Sequence, residues 1–380
     1  MRKKIRVLHI LDELDTGGAE KIVVDYFKNV DREKFQWDFI ITKYDDPNKA
    51  GLLEKVVCQL GGNIYKVTRK RVNYMKNIAE TNEIIKNGNY DIVHSHLDEL
   101  SAFYLMSAKK YKVPVRICHS HLAGTSRGRL VEILCKILKP LLYFSVTNKF
   151  ACGVEAGKTL WGIKAVEKGD VYIMHNAIDI DKFVFNKAIR KEKRKELNVD
   201  DKIVVGSVGR LSYQKNPEKI IDIFKKYHEA QKSSVLLMIG IGDKLEELKK
   251  IVKNYNIEDS VLFLSRRTDI NELMMAMDFF LLPSRFEGLP IVLVEAQCTG
   301  LTCIVSNKIT KEIKINDNLF FMDISSKSDE WIKYMNLDSA IIREDAYIKV
   351  ESFGYEINNE TVKLEEYYMK ALMKYDEKNI

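Results

Sequence analysis

Residues 203–217 read Ile203-Val-Val-Gly-Ser-Val-Gly-Arg-Leu-Ser-Tyr-Gln-Lys-Asn-Pro217 and carry the clearest architectural signal in this sequence. The apolar run at 203–208 has the length and β-branched composition of a buried strand. A glycine-containing turn follows, and Pro217 suits the first position of a helix, where no N–H is needed. A strand, a tight turn and a helix in this order form the unit of a parallel α/β sheet.

The same alternation of short apolar runs and amphipathic runs continues on both sides of this stretch. Strands are predicted at 5–11, 37–42, 63–67, 92–94, 115–118, 203–208, 235–240, 261–264, 279–282 and 303–306. Helices are predicted at 19–29, 75–87, 100–110, 217–230, 244–254 and 360–375. Because the alternation fades after residue 176 and 186–198 is densely charged, two Rossmann-like domains are expected. Their predicted bounds are 1–180 and 201–358, with a linker at 181–200 and a C-terminal helix at 359–380.

The bulk composition excludes several classes of protein. The 380 residues carry a net charge of +7, but basic and acidic residues interleave, so nucleic acid is not an expected partner. The apolar run at 7–11 is too short for a signal peptide, and the run at 130–146 contains charges and a proline that argue against a membrane span. The six scattered cysteines form no Cys-x-x-Cys pair, which is typical of reduced thiols in a cytoplasmic protein.

Two glycine turns follow predicted strands, at the sheet edge where parallel α/β proteins bind ligands. The first is Thr16-Gly-Gly-Ala-Glu20, whose backbone N–H groups at a helix start favour an anion, although an ordinary tight turn has the same sequence. The second carries Arg210 and Lys215, which suit a diphosphate clamp, Arg as a planar fork and Lys as a point charge. Two solvated surface cations are the alternative interpretation.

A third motif is Ser284-Arg-Phe-Glu-Gly-Leu-Pro290, followed by Glu295. Because Pro290 suits a helix start, Glu287 is predicted in the loop and Glu295 about two turns into the helix. One carboxylate can accept hydrogen bonds from sugar hydroxyls and the other from a ribose diol. Two surface glutamates are the alternative.

Histidines cluster in His94-Ser-His96 and in Cys118-His-Ser-His121, so four of the seven follow two predicted strands. Imidazoles can bind a metal ion. However, a His-x-His pair at a strand exit more often has one buried and one solvent-facing ring, and that arrangement is expected here. Asp179-Ile-Asp181 matches a carboxylate metal pattern but is interpreted as the turn into the linker. Neither a bound metal nor a cofactor is therefore expected.

Together and in this order, these motifs resemble glycosyltransferase family 4, especially its exopolysaccharide and capsular polysaccharide branch. The resemblance spans nearly the whole chain, and its most specific part is the Glu-x7-Glu spacing of Glu287 and Glu295. It implies a GT-B fold, with two Rossmann-like domains facing each other across a cleft and a C-terminal helix crossing back to the first. It further implies retaining, metal-independent sugar transfer from a nucleotide-sugar, expected to be UDP-linked, to a lipid-linked saccharide acceptor. The first domain would then face the acceptor, and the second would bind the donor.

The resemblance also implies roles for individual residues. The implied donor-binding residues are Gly17, Gly18, Arg210, Lys215, Glu287, Gly288, Leu289 and Glu295. Arg210 and Lys215 match positions that hold the diphosphate, Glu295 the ribose and Glu287 the transferred sugar. His119 matches the histidine near the reacting carbon, with His121 as the alternative, so the implied catalytic residues are His119, Arg210, Lys215 and Glu287.

Two rival functions stay open: a nucleotide-sugar 2-epimerase on the same fold, and a catalytically silent partner subunit of another glycosyltransferase. A membrane surface is also an expected partner. Between Arg127 and Lys149, basic residues flank apolar ones in the pattern of a helix that lies among lipid headgroups. This pattern predicts a cytoplasmic protein held at the anionic inner face of the cell membrane. A core-facing helix pair is the alternative.

Overall fold

The computed structural model describes residues 4–15, 17–42, 44, 51–121, 129–336 and 342–379. The chain divides into two compact units. The first comprises Met1–Asn176 together with Ile357–Ile380, and the second comprises Ala177–Glu356.

The first unit is built on a parallel sheet. Its described strands are β1 (Ile5–Leu11), β2 (Phe35–Ile41), β3 (Asn63–Lys66), β4 (Ile92–Ser95), β5 (Val115–Ser120), β6 (Asn148–Ala151) and β7 (Val171–Ile173). They lie side by side in the order β3-β2-β1-β4-β5-β6-β7. The central strands β1, β2, β4 and β5 are buried almost throughout, which explains their near-continuous apolar sequences.

Helices connect these strands. They are α1 (Gly18–Asn29), α2 (Leu52–Gln59), α3 (Tyr74–Gly88), α4 (Ser101–Lys110), α5 (Arg129–Ser145), α6 (Val154–Trp161) and α7 (Ile163–Glu167). Residues 129–145 of the basic and apolar segment singled out in the sequence form the single helix α5, which continues through Pro140, whereas Lys149 lies in β6. Arg127, which was part of that prediction, lies outside the described residues.

The second unit repeats the architecture. Its described strands are β8 (Ile203–Val208), β9 (Ser234–Ile239), β10 (Val261–Leu264), β11 (Phe279–Leu282), β12 (Thr302–Ser306) and β13 (Leu319–Met322), in the parallel order β10-β9-β8-β11-β12-β13. Its helices are α8 (Ile180–Phe183), α9 (Lys187–Glu196), α10 (Pro217–Ala230), α11 (Leu245–Asn254), α12 (Ile270–Ala276), α13 (Ile291–Cys298), α14 (Ser328–Ile332) and α15 (Ala346–Ser352). Phe224, Leu236, Met238 and Trp331 lie in the apolar core between sheet and helices.

The segment 181–200, expected as a linker, instead contributes α8 and α9 to the second unit. The Arg190 guanidinium donates to the carbonyl oxygen of Met277 (2.8 Å) and to the carboxylate of Asp278 (2.6 Å). Arg194 donates to the carbonyl oxygen of Ala276 at 2.8 Å. The charges of α9 therefore bind carbonyls at the end of α12, where Arg343 also donates to Met277, and are not simply solvated.

The last helix, α16 (Ile357–Asn379), returns to the first unit and packs on α1. Its Tyr368 is fully buried, with the ring 6.3 Å from that of Trp37. Glu365 accepts a hydrogen bond from the backbone N–H of Asp31 at 2.7 Å. Among the described residues, no helix combines the length and apolar character needed to cross a bilayer.

Candidate active site

The predicted anion-binding turn of the second unit runs from the end of β8 to the start of α10. Tyr213–Lys215 form a single helical turn, and Asn216 adopts a left-handed conformation (φ 54°) that directs the chain into Pro217. A neighbouring turn follows β9, where Gly240 has a φ of 141°. A Cβ at Gly240 would lie 2.0 Å from the carbonyl oxygen of Gly209, so only glycine lets the two turns approach this closely.

Lys215 and Glu287, predicted to serve different parts of the donor, form an ion pair with each other. The ammonium Nζ lies 2.6 Å from Oε1 of Glu287, and the side chains are 20% and 8% exposed. Gln214 Nε2 donates to the second carboxylate oxygen at 3.3 Å. Both oxygens of this nearly buried carboxylate therefore have a donor.

A further set of contacts ties the loop after β8 to the loop after β11. The Arg285 guanidinium donates to Oδ1 of Asn216 at 2.8 Å and lies over the ring of Tyr213. Asn216 in turn donates through Nδ2 to the carbonyl oxygen of Pro283 at 3.1 Å. The two loops that carry Lys215 and Glu287 are thereby held in fixed register.

The other donor-site candidates of the second unit lie on the same loops or the following helix. Arg210 is exposed and lines a small pocket together with Lys215. Gly288 is half-buried and Leu289 is buried in the turn that leads into α13. Glu295 is 4% exposed and lies within α13, as the sequence predicts.

In the first unit, Gly17 and Gly18 lie at the start of α1. Gly17 is the residue before the helix, and its carbonyl oxygen accepts the N–H of Lys21 at 3.0 Å. No described atom lies within 4 Å of the position where a Cβ would stand on Gly18. Thr16, the first residue of this predicted motif, lies outside the described residues.

Five of the six histidines of the first unit form one cluster at the ends of three adjacent strands. His9 of β1 pairs in register with His94 of β4, which explains why these rings are neighbours. His9 Nδ1 lies 3.1 Å from His96 Nε2, and His96 Nδ1 lies 2.9 Å from His121 Nε2. The ring of His119 stacks on that of His121 with a centroid distance of 4.1 Å.

Burial determines the charge state of this cluster. Desolvation lowers the pKa of His9 to about 3 and that of His121 to about 4. The pKa values of His94, His96 and His119 lie well below the usual range, first because of burial and then because of the neighbouring imidazoles. All five rings are therefore neutral at physiological pH.

The expectation of one buried and one solvent-facing ring in each His-x-His pair was wrong for the first pair. His94 is fully buried and His96 is 7% exposed. The reason is that His96, one residue beyond β4, packs its ring among those of His9, His94, His119 and His121. In the second pair, His119 is fully buried and His121 is half-buried.

Comparison with known proteins identifies the family. The sequence profile described as "Glycosyl transferases group 1" matches residues 188–335. The putative glycosyltransferase EpsF of Bacillus subtilis is 33% identical over 315 residues, which cover 81% of this chain and 80% of that protein. The chain belongs to the group 1 glycosyltransferases. The resemblance to family 4 and to its exopolysaccharide and capsule branch is thus confirmed.

One further relative and one solved structure are similar to this glycosyltransferase. The UDP-Gal:alpha-D-GlcNAc-diphosphoundecaprenol alpha-1,3-galactosyltransferase of Escherichia coli is 28% identical over 319 residues, 80% of each chain. The crystal structure of Anabaena HepE in complex with UDP-glucose matches with a TM-score of 0.80 at 17% identity, covering 96% of this chain and 100% of that chain. The expected GT-B architecture of two parallel-sheet α/β domains is confirmed.

Sequence reasoning missed three residues of this glycosyltransferase that contact the candidates or their neighbours. Gln214 contacts the candidate Glu287 directly, whereas Arg285 contacts Asn216 next to Lys215, and His9 contacts His96 in the histidine cluster. His9 could have been found, because β1 and β4 are neighbours in Rossmann-like sheets and both carry a histidine near their ends. No sequence signal marks Gln214, because its contact with Glu287 depends on how two distant loops pack.

Proposed function

We propose that this glycosyltransferase transfers a hexose from a UDP-linked donor to a lipid-linked saccharide, with retention at the anomeric carbon, during exopolysaccharide or capsule assembly. The observation that carries the proposal is the Lys215–Glu287 pair, which lies beside Arg210 in the second unit. The names of two relatives support the substrate classes. One acts from UDP-Gal on a diphosphoundecaprenol-linked sugar, and the other was crystallised with UDP-glucose.

The ion pair indicates how Lys215 binds the donor. A donor diphosphate competes with the Glu287 carboxylate for the same ammonium, and it is the stronger competitor because it carries more negative charge. Once the diphosphate takes over Lys215, Glu287 is free to accept hydrogen bonds from the hydroxyls of the transferred sugar. Arg210 and Lys215 then stabilise the negative charge that develops as the sugar leaves the diphosphate.

The remaining roles follow from the family resemblance. Glu295 binds the ribose, and Gly17, Gly18, Gly288 and Leu289 are further donor-binding residues. His119 stands near the reacting carbon as a neutral imidazole. With Arg210 and Lys215 as fixed cations, the transfer needs no divalent metal ion or other cofactor.

A three-way incubation tests the proposal. The protein is given a panel of nucleotide-sugars, alone and with a lipid-linked saccharide, and the products are analysed by mass spectrometry. Glycosylated lipid from a UDP-sugar supports the proposal. An epimerised nucleotide-sugar without acceptor would identify a 2-epimerase, and no product with any donor would identify a silent subunit. In the same assay Lys215→Ala should transfer sugar more slowly than the parent. Lys249→Ala is its matched control variant, because Lys249 is half-exposed on α11 and pairs with Glu246 of the same helix.

We also propose that the protein binds the anionic inner face of the cell membrane through α5. Five large apolar side chains of this helix are exposed: Ile133, Leu134, Ile137, Tyr143 and Phe144. Lysines accompany them, with Lys109 Nζ 3.1 Å from the ring centre of Phe144 and Lys149 Nζ 5.3 Å from that of Tyr143. Apolar side chains with adjacent cations suit a helix at an anionic headgroup layer.

Flotation with anionic vesicles at low salt tests the membrane proposal. The parent protein is expected to float, and Ile137→Glu should remain at the bottom of the gradient, because Ile137 is 66% exposed on α5. Ile348→Glu is the matched control, since Ile348 is 51% exposed on α15 of the second unit. Equal flotation of the parent and both variants would exclude α5 as the attachment surface.

A further inference from the structure

The histidine cluster of the first unit contains a set of nitrogens placed for a metal ion. His96, His119 and His121 each offer one ring nitrogen, and these three atoms lie within 4.8 Å of one another. We propose that this triad binds a transition-metal ion of the Zn²⁺ class, and that the bound ion inhibits sugar transfer by taking His119 as a ligand. The inhibition rests on the proposed function of His119, whereas the ion site does not.

Without such a ligand, the histidine cluster contains ring nitrogens that have no hydrogen-bond partner. Both ring nitrogens of His119 are buried and have no partner among the residues that the structure describes. A neutral imidazole always carries one N–H and one lone pair. A buried ring with neither group bonded is unfavourable, and a ligand that accepts the lone pair removes part of that cost.

The orientation of His96 already suits an ion. Its Nε2 lies 3.1 Å from Nδ1 of His9, so an N–H on Nε2 can donate to His9 while the Nδ1 lone pair points toward His121. A metal-binding histidine usually donates its other N–H to a partner that fixes the ring, and His9 occupies that position. His96 therefore needs no rotation to act as a ligand.

The distances between the three nitrogens require only a small adjustment. Nitrogens around a tetrahedral Zn²⁺ lie about 3.4 Å apart, because each Zn–N bond is about 2.0–2.1 Å. The 2.9 Å between His96 Nδ1 and His121 Nε2 must open by about 0.5 Å, and the widest pair, which lies within 4.8 Å, must close by at most about 1.4 Å. Rotation of the half-buried His121 ring suffices for this closure.

A second triad, His9, His94 and His96, meets the same distance limit but is a poorer site. All three of its rings are buried, so an ion has no route to it. His94 is also committed to the hydroxyl of Tyr368 at 2.7 Å. In the proposed triad, His121 is the more accessible member, and its backbone N–H is 3.2 Å from the carboxylate of Asp98, which supplies a nearby negative charge.

Three imidazoles with a remaining open position suit Zn²⁺, Co²⁺, Ni²⁺ or Cu²⁺ and do not suit Mg²⁺, which prefers oxygen ligands. The site is thus compatible with transfer that needs no Mg²⁺ or Mn²⁺. An ion bound in this site coordinates His119, so the ring can no longer contact the substrate.

Cobalt titration of the full chain tests the ion site. After treatment with chelator and desalting, the protein is expected to bind one Co²⁺ with visible absorption of a low-coordinate site and without a thiolate charge-transfer band. Zn²⁺ should displace the Co²⁺ and raise the melting temperature of the parent. His121→Gln and His96→Gln should each weaken Zn²⁺ binding by more than the ~10–100-fold typical of losing an outer partner of a metal ligand.

Two control variants locate the ion. His228→Gln, which changes a histidine of the second unit bonded to Ser234, should bind Zn²⁺ like the parent. Cys58→Ser, which removes the exposed thiol, should do the same. Failure of the parent to bind one equivalent, or equal binding by His121→Gln in protein that melts normally, would overturn the site. Loss of binding in Cys58→Ser would assign the ion to a thiol instead.

The inhibition is measured separately. Zn²⁺ at saturating concentration should reduce transfer, excess chelator should restore it, and Mg²⁺ should have no effect. Stoichiometric Zn²⁺ binding with unchanged transfer would overturn the link between the ion and His119. Absence of transfer from any UDP-sugar in metal-free parent protein would instead count against the proposed function and leave the binding result intact.

Discussion

Replacing Lys215 by alanine perturbs both stability and catalysis, because its ammonium neutralises Glu287 when no donor is bound. The sequence alone indicates that a lysine on a strand-to-helix turn has little packing to lose. In the structure, however, its removal leaves Glu287 nearly buried, with the 3.3 Å contact from Gln214 as the remaining side-chain partner in the described loops. A carboxylate in that state is destabilising.

The structure sets the size of both effects. Leaving a buried polar group without its partner costs about 1–3 kcal/mol of folding stability. This range suits the Lys215–Glu287 pair, because the lysine keeps some contact with water. For a unit the size of residues 177–356, each kcal/mol lowers the melting temperature by roughly 2–4 °C. Loss of one preorganised charge at the leaving group typically reduces the rate by on the order of 10²–10³.

Calorimetry with free UDP separates the two partners. Lys215→Ala should bind UDP more weakly than the parent. Glu287→Gln should bind it at least as tightly, since the diphosphate no longer competes with a carboxylate, while sugar transfer falls. Lys249→Ala should match the parent in melting, UDP binding and transfer.

Parental melting, UDP affinity and transfer rate in Lys215→Ala would show that the site is elsewhere. Loss of UDP binding in Glu287→Gln, with full binding retained in Lys215→Ala, would show that the two roles are reversed.

Three other outcomes are expected. Transfer should persist in excess chelator, and loss of activity that Mg²⁺ or Mn²⁺ restores would refute metal independence. Asp269→Asn should lower the melting temperature at pH 7, because the hydrogen bond from Arg267 holds the pKa of Asp269 below its usual value of 3.8. The ionised carboxylate contributes this stability above the pKa of Asp269 in the unfolded chain, and the contribution is lost as pH falls through its pKa in the folded protein. The difference in melting temperature between Asp269→Asn and the parent should therefore narrow in acid. A difference that stays constant with pH would refute this expectation. Gly240→Ala should weaken UDP binding and should have a much lower melting temperature than Gly169→Ala. The reason is that a Cβ at 240 meets the carbonyl oxygen of Gly209, whereas a Cβ at 169 meets no described atom within 4 Å. Equal melting temperatures would refute the close approach of the two turns.

Elements with strong local signals were predictable from the sequence. The bounds predicted for the strand at 203–208 and the helix at 217–230 agree with β8 and α10, because an apolar run, a glycine turn and a proline lie next to one another. The strands β6, β7 and β13 were missed. β7 has only three residues, and β6 begins with the polar Asn148 and Lys149, so neither presents an apolar run of the usual length. β13 is as long and as apolar as the predicted β10, and its omission has no such explanation.

The positions of the candidate residues on loops and helices were predictable from the sequence, but their contacts were not. Motif spacing placed Lys215 and Glu287 correctly on two loops that follow strands. Their ion pair joins positions 72 residues apart, and nothing in periodicity or composition reports which distant side chains meet. The buried state of His96 was unpredictable for a related reason, since it depends on the order of β1, β4 and β5 in the sheet.

The return of α16 to the first unit also has a consequence for how the protein is made. Trp37 and His94 leave the ribosome early, but Tyr368, which covers both, follows only after the whole second unit has been synthesised. At a synthesis rate of roughly 5–20 residues per second, residues 177–356 delay that step by about 10–40 s. During this interval an apolar face of the nascent first unit is open to chaperones and to aggregation, while the second unit can already fold.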